Sequence, residues 1–260
     1  MVDVLPGVAR HSEPKLKIEN VSEQAGRMKK ARRKEKTRSH TRVIDTLTGP
    51  LERRLLRWLA AHMPAWVKPD MLTGLGFFAA ALIGVSYILS RQWPGFLWLA
   101  CFGFVLNWFG DSLDGTLARY QGKERPRYGY FIDHSVDAVN ELMIFFGVGL
   151  SSYVRFEIAA IALVGYLLVT LYASLSTYAA GEFKISYAFL GPTEIRMIAM
   201  AASIWVYFDA SRFVQLPFLG AFTFFELITL GLIVLFFSAF ILSTAGQAYR
   251  LARSDQPNQK

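Results

Sequence analysis

Four aspartates inside an otherwise apolar region constrain this chain more than any other feature. Asp111, Asp114, Asp133 and Asp137 lie within 27 residues, at the edges of two segments rich in Phe, Leu, Val and Ile. An ionised carboxylate in such surroundings is costly unless it meets a cation or another partner. The chain must therefore fold so that these acids find compensating charge.

Both acidic segments are predicted to be helices that carry their acids on one face. The first pair of acids is three residues apart and the second pair four residues apart, so each pair shares a face. Small residues fall on the same faces, namely Gly115, Ala118 and Gly129. Two such helices joined by a short polar turn would bring all four acids to one small volume, with room beside them for a ligand.

A cluster of four carboxylates repels itself strongly at low dielectric and needs cations nearby. Oxygen ligands without clustered His or Cys favour Mg²⁺, Mn²⁺ or Ca²⁺ over zinc. Two divalent ions about 3.5–4 Å apart can activate an attacking oxygen and stabilise a leaving phosphate. The alternative is ion pairing with the basic residues of the turn, which are Arg119, Lys123, Arg125 and Arg127. Four acids on two facing stripes favour the metal site.

The composition indicates a polytopic membrane protein rather than a soluble domain. Apolar residues make up 53% of the chain, and the mean hydropathy is +0.30. The net charge of +8 does not indicate nucleic-acid binding, because 16 of the 28 Lys and Arg residues lie in residues 1–70. This basic excess is typical of the cytoplasmic side of a membrane, where it attracts anionic lipids.

The predicted fold class is an all-α integral membrane protein with four regions. Residues 1–45 form a basic, disordered tail, and residues 46–64 form an amphipathic helix in the membrane interface. Residues 65–245 form six transmembrane helices that make up the catalytic domain, and residues 246–260 form a polar tail. Basic residues concentrate in alternate loops, which places both termini and the acidic motif on the cytoplasmic side.

A second polar group lies between the fourth and fifth predicted spans. The stretch 181–197 offers Lys184, Glu194 and Arg196 on the same side of the membrane as the acids. A basic pocket there could hold a phosphate or the acceptor substrate, and Arg suits bidentate phosphate contacts. Anchoring at the cytoplasmic interface explains Lys184 equally well.

The acidic motif resembles the signature of the CDP-alcohol phosphotransferase family. Its fixed positions are matched by Asp111, Asp114, Gly115, Ala118, Arg119, Gly129, Asp133 and Asp137. Nine residues separate Arg119 from Gly129, slightly more than is usual, and the extra length falls in the polar turn. The entry Pro69-Asp70-x-x-Thr73 extends the likeness, with Asp70 where the family often has Asn.

The resemblance implies a role for each matched residue. Asp111, Asp114 and Asp133 would hold two Mg²⁺ or Mn²⁺ ions, with Asp137 completing the site and acting as the base on the acceptor hydroxyl. The nucleotide site would comprise Asp111, Gly115, Ala118, Arg119, Gly129 and Thr73. The expected reaction transfers a substituted phosphate from a CDP-alcohol donor to a lipid or polar alcohol, with release of CMP. The resemblance also implies a homodimer.

The substrate branch and two other protein classes stay open at this point. Short cues at 64–76, 133–134 and 191–196 slightly favour CDP-choline or CDP-ethanolamine with diacylglycerol. The alternative is CDP-diacylglycerol with a small polar alcohol. An intramembrane prenyltransferase and a cation transporter are remote alternatives, since both acidic elements lie close together in sequence and at one membrane face.

Overall fold

The computed structural model describes residues 42–43, 48–180, 183–184, 191–209, 213–216 and 220–254. Seven helices dominate this part of the chain. They are α1 (Gly49–His62), α2 (Pro69–Leu89), α3 (Phe96–Tyr120), α4 (Pro126–Gly149), α5 (Phe156–Ala180), α6 (Pro192–Phe208) and α7 (Phe224–Ser254). Of the predicted tail at 1–45, the structure describes only residues 42 and 43.

Four of these helices, α2, α3, α5 and α7, are long and apolar enough to cross a membrane. The protein is therefore a multi-pass integral membrane protein with a mostly helical fold. Helices α4 and α6 coincide with the other two predicted spans, but α4 carries several acids and α6 has only 17 residues. Large apolar side chains such as Phe78 and Val234 are exposed on α2 and α7, as expected for helices that face lipid.

Proline and glycine set the boundaries of the two acid-bearing helices. Gly122 has φ of +63°, and its backbone nitrogen donates to the carbonyl of Arg119 at 3.1 Å, which closes the last turn of α3. Pro126 then occupies the first turn of α4, where its missing N–H costs no helical hydrogen bond. The turn between α3 and α4 is therefore short and polar, as the sequence predicts.

Helix α2 packs against both α3 and α4 through glycines. A Cβ added at Gly110 of α3 would lie 2.6 Å from the backbone nitrogen of Gly76, and one added at Gly147 of α4 would lie 2.4 Å from the Cα of Gly84. The Asn107 side-chain amide donates to the carbonyl of Gly76 at 2.9 Å. Backbones this close leave no space for larger residues. The glycines therefore fix the separation of the helices that carry the acids.

Two apolar clusters surround this three-helix contact. The larger joins α2 and α3 to α4, α5, α6 and α7, and includes Ile83, Phe104 and Phe225. Within it the fully buried Tyr87 hydroxyl lies 2.6 Å from the Ser203 hydroxyl, so both polar groups are satisfied. The smaller cluster packs α1 against α2 and α3 around Leu56 and Leu113.

The structure also contains elements that the sequence pattern did not predict. Strands β1 (Arg42–Val43) and β2 (Phe183–Lys184) pair in parallel, and β3 (Phe213–Leu216) and β4 (Gly220–Thr223) form an antiparallel hairpin. Helix α7 continues to Ser254, nine residues into the stretch predicted to be a polar tail. Strands this short leave too little alternation to be recognised in a sequence.

The glycine contact between α2 and α4 gives a direct test of this packing. We expect Gly147→Ala to reduce stability by on the order of 1–3 kcal/mol, because the new methyl group overlaps the Gly84 backbone. Gly231→Ala is the matched control, since no atom lies within 4 Å of its added Cβ and alanine favours a helix. Thermal unfolding of purified protein in detergent measures both, and an unchanged midpoint for Gly147→Ala would contradict the packing.

Candidate metal centre

Three of the four predicted acids converge where α3 and α4 face each other. One carboxylate oxygen each from Asp111, Asp133 and Asp137 lies within 4.8 Å of the other two. Asp111 comes from α3, and the other two acids lie one turn apart on α4. An oxygen cluster of this size matches the ligand set that Mg²⁺ and Mn²⁺ prefer.

Asp114 lies outside this compact group of three. Its Oδ2 accepts a hydrogen bond of 2.6 Å from the Thr73 hydroxyl of α2, and its Oδ1 accepts one from the Gly115 backbone nitrogen. Thr73 was predicted as a nucleotide-binding residue, and in the structure its hydroxyl orients the Asp114 carboxylate. These bonds hold the Asp114 side chain in a fixed direction one helical turn from Asp111.

Arg196 contacts the acid group from a third helix, α6. Its guanidinium donates to Asp111 Oδ2 at 2.6 Å, and the side chains of Arg196 and Asp111 are only 10% and 19% exposed. One buried arginine offsets one of three carboxylates, which leaves a formal charge of −2 on the group. A divalent cation would compensate this charge, so the residues present fit such an ion.

The sequence reasoning missed Glu141 and Tyr166, which extend the polar group deeper into the bundle. Glu141 lies one turn beyond Asp137 on α4, interacts electrostatically with Arg196, and faces the Tyr166 hydroxyl of α5. The four-residue spacing from Asp133 through Asp137 continues to Glu141, so the sequence carried a signal for this acid. No comparable pattern marks Tyr166.

The predicted small residues border open space near the acids. Among the described residues, and apart from the adjacent backbone of its own helix, no atom lies within 4 Å of a Cβ added at Gly129. On the same basis, only the Arg119 guanidinium lies within that distance at Gly115. Ala118 is partly exposed, and Arg119 is exposed and donates to the Thr116 hydroxyl at 3.1 Å. This side of the acid group has the room that a ligand needs.

Asp70, where the family often has Asn, makes an ion pair with Arg125 in the turn between α3 and α4. Arg125 also lies over the ring of Tyr128, 4.1 Å from its centroid. The hydrogen bond to Asp70 raises the pKa of Arg125 above its usual range. Asp70 therefore ties the start of α2 to the turn beside the acids.

The three residues predicted for a phosphate or acceptor pocket take different positions. Of the three, Arg196 contacts the acid group directly. The Glu194 carboxylate accepts hydrogen bonds from Thr48 and from the Gly191 backbone nitrogen, so these bonds fix the start of α6. Lys184 lies in β2, where it pairs with Val43 through the backbone, and its side chain lies outside the described residues.

The fold and this centre define an integral membrane protein with a carboxylate group that fits a divalent cation. The family model described as CDP-alcohol phosphatidyltransferase matches residues 66–237. The chain belongs to this family, and it is therefore a transferase. The matched range includes all four aspartates of the motif together with Thr73 and Arg196.

The relatives of this chain include two inositol phosphate synthases and a cholinephosphotransferase. The chain is 29% identical to an archaetidylinositol phosphate synthase from Pyrococcus horikoshii over 165 residues, which cover 64% of this chain and 82% of that protein. It is 37% identical to a phosphatidylinositol phosphate synthase from Cutibacterium acnes over 90 residues, 35% of this chain and 41% of that one. It is 25% identical to cholinephosphotransferase 1 from Danio rerio over 153 residues, 55% of this chain and 39% of that one.

Metal binding can be tested without any substrate. We expect Asp111→Asn, Asp133→Asn and Asp137→Asn each to weaken Mn²⁺ binding by at least about tenfold, because each removes one charged ligand oxygen from the group. Calorimetric titration of purified protein with Mn²⁺ measures this. Glu157→Gln, at an exposed acid on α5, is the matched control and should bind Mn²⁺ like the parent. Parent-like affinity in all three variants would exclude this group as the metal centre.

Proposed function

We propose that this enzyme transfers a substituted phosphate from a CDP-alcohol to an acceptor alcohol and releases CMP. The observation that carries the proposal is the convergence of Asp111, Asp133 and Asp137 within 4.8 Å of one another, beside open space. These acids would hold two Mg²⁺ or Mn²⁺ ions, with Asp114 contributing from the next turn of α3. Bound there, the ions supply charge neutralisation for the donor diphosphate and the leaving phosphate.

The chain's own residues supply positioning and proton transfer. Asp137 accepts the proton of the acceptor hydroxyl as its oxygen attacks the phosphorus distal to cytidine. A new P–O bond forms, the bond to the CMP phosphate breaks, and CMP leaves with the electron pair. Arg196 contacts a phosphate oxygen from the α6 side, which suits a planar guanidinium.

The open side of the acid group is assigned to the nucleotide. Gly115, Ala118 and Gly129 leave space for the cytidine moiety, and Arg119 contacts or orders it. Thr73 acts through Asp114, whose carboxylate it orients by a 2.6 Å hydrogen bond. Lys184 and Glu194 complete the acceptor side, with Glu194 acting through the fold of the α6 terminus.

For the donor, we infer CDP-diacylglycerol or a similar CDP-linked lipid, with a small polar alcohol as acceptor. The sequence cues slightly favoured CDP-choline or CDP-ethanolamine, but the similarity to the two inositol phosphate synthases supports the alternative better. Similarity to the cholinephosphotransferase is lower, at 25% identity. Inositol phosphates are accordingly the first acceptors to test.

We further propose that α4 and α6 complete a bundle of six spans, with both termini and the acids on the cytoplasmic side. Helix α1 then lies in the membrane interface. Its exposed Leu51, Leu55 and Trp58 form one stripe at spacings of four and three residues, beside the exposed Arg54 and Arg57. Residues 1–45 and 246–260 then flank the catalytic region as cytoplasmic tails, and the enzyme forms a homodimer.

A donor comparison tests the substrate assignment. With Mn²⁺ and inositol phosphate present, we expect CMP release from CDP-diacylglycerol and little from CDP-choline or CDP-ethanolamine with diacylglycerol. Mass analysis of the lipid product identifies the bond that formed. Turnover of CDP-choline alone would overturn the assignment of a CDP-linked lipid as donor. The absence of CMP release from every CDP donor would refute the proposed function.

Replacement of the proposed base should separate binding from chemistry. Asp137→Asn is expected to lower kcat by about 10²–10⁴-fold, because the amide cannot accept the acceptor's proton. Donor binding, measured by titration with CDP-diacylglycerol at Mn²⁺ concentrations that saturate the variant, should change much less. Glu157→Gln again serves as the control. A kcat within about threefold of the parent would show that another group takes the proton.

A further inference from the structure

Helices α1 and α6 hold each other through a reciprocal pair of acid and threonine residues. Glu52 of α1 accepts a hydrogen bond from the Thr193 hydroxyl at 3.0 Å. Glu194 of α6 accepts bonds from the Thr48 hydroxyl at 2.7 Å and from the Thr48 backbone nitrogen at 3.1 Å. These partners are 141 and 146 residues apart in sequence.

Glu52 also binds α3 with the same oxygen that binds α6. Its Oε1 accepts from the Trp108 indole nitrogen at 2.7 Å and from the Ser112 hydroxyl at 3.2 Å. Three donors from two helices therefore converge on one carboxylate oxygen of a third helix. An ionised acceptor makes such hydrogen bonds stronger than a neutral one does.

Both ends of this network adjoin the metal centre. Ser112 directly follows Asp111 on α3, and Thr193 lies three residues before Arg196 on α6. Arg196 in turn donates to Asp111 at 2.6 Å, so α3 and α6 meet twice, once at Glu52 and once at the centre. The position of Glu52 therefore sets how the first turn of α6 lies against the acid-bearing part of α3.

We infer that Glu52 is a positioning residue for the Arg196–Asp111 pair. It holds the start of α6 against α3 so that the Arg196 guanidinium keeps one Asp111 oxygen fixed and leaves the other to a cation. The consequence for turnover rests on the proposed function, whereas the consequence for cation binding does not. A displacement of about 1 Å at a reacting centre can lower the rate about 10²-fold. Loss of the Glu52 hydrogen bonds can cause a displacement of this kind at the Arg196–Asp111 pair.

A double-mutant cycle distinguishes positioning from plain stabilisation. Glu52→Ala is expected to lower kcat/KM for CMP release about tenfold or more, while Glu52→Gln, which keeps an acceptor oxygen, stays within about threefold of the parent. In an Arg196→Lys background, Glu52→Ala should lower kcat/KM by less than about a further twofold, because the planar guanidinium that Glu52 positions is already lost. Equal losses in both backgrounds would overturn the proposal. Glu157→Ala, the same change at an exposed site, should match the parent.

A milder variant keeps the test decisive if Glu52→Ala does not fold. Thr193→Val removes only the α6 donor and leaves the bonds from α3 to Glu52 in place. It should lower kcat/KM in the same non-additive way, by a smaller factor. Activity within about twofold of the parent in a folded Thr193→Val protein would count against the α6 contact and would overturn the inference.

Mn²⁺ titration separates this inference from the proposed function. Both Glu52→Ala and Thr193→Val should weaken Mn²⁺ binding several-fold, again without adding to the effect of Arg196→Lys. If the parent releases no CMP from any donor yet these shifts occur, the proposed function fails and the positioning role stands. If the parent turns over a CDP donor and Mn²⁺ affinity is unchanged in both variants, the positioning role fails alone.

Discussion

Repulsion among three carboxylates is the constraint on which the rest of the bundle depends. Asp111, Asp133 and Asp137 approach within 4.8 Å, and they would separate if α3 and α4 were free to move. Glycine contacts hold α2 against both of these helices, so the helices cannot relax apart without losing close packing. Arg196 offsets part of the charge from a third direction. The remaining negative charge is what a divalent ion needs.

The helices and the acid group followed from residue spacing, because helical periodicity and the cost of buried charge are local properties of a sequence. The contacts that complete the site did not follow. Asp114 binds Thr73, and Glu52 binds Thr193, across 41 and 141 residues. Such pairs depend on how helices pack, which single-residue preferences do not encode. Glu141 could have been predicted from its four-residue spacing to Asp137. Tyr166 became recognisable only in the structure, through its position beside Glu141.

The substrate branch was harder to predict for a related reason. The short motifs that favoured choline or ethanolamine include Asp70 and Glu194. In the structure Asp70 pairs with Arg125, and Glu194 binds Thr48 and Gly191. Both residues thus serve the fold, and their identity says little about which alcohol is bound. The family could be recognised from the acids, whereas the contacts of Asp70 and Glu194 became apparent only in the structure.

The glycine contacts of α2 also bear on the order in which the helices can assemble. Helices α2, α3 and α4 are consecutive in sequence, and the packing that sets the separation of the acids lies entirely among them. A nascent chain could assemble this trio in the membrane before its last three helices are synthesised. The later helices then add Arg196 and Tyr166 to a group of acids that is already assembled.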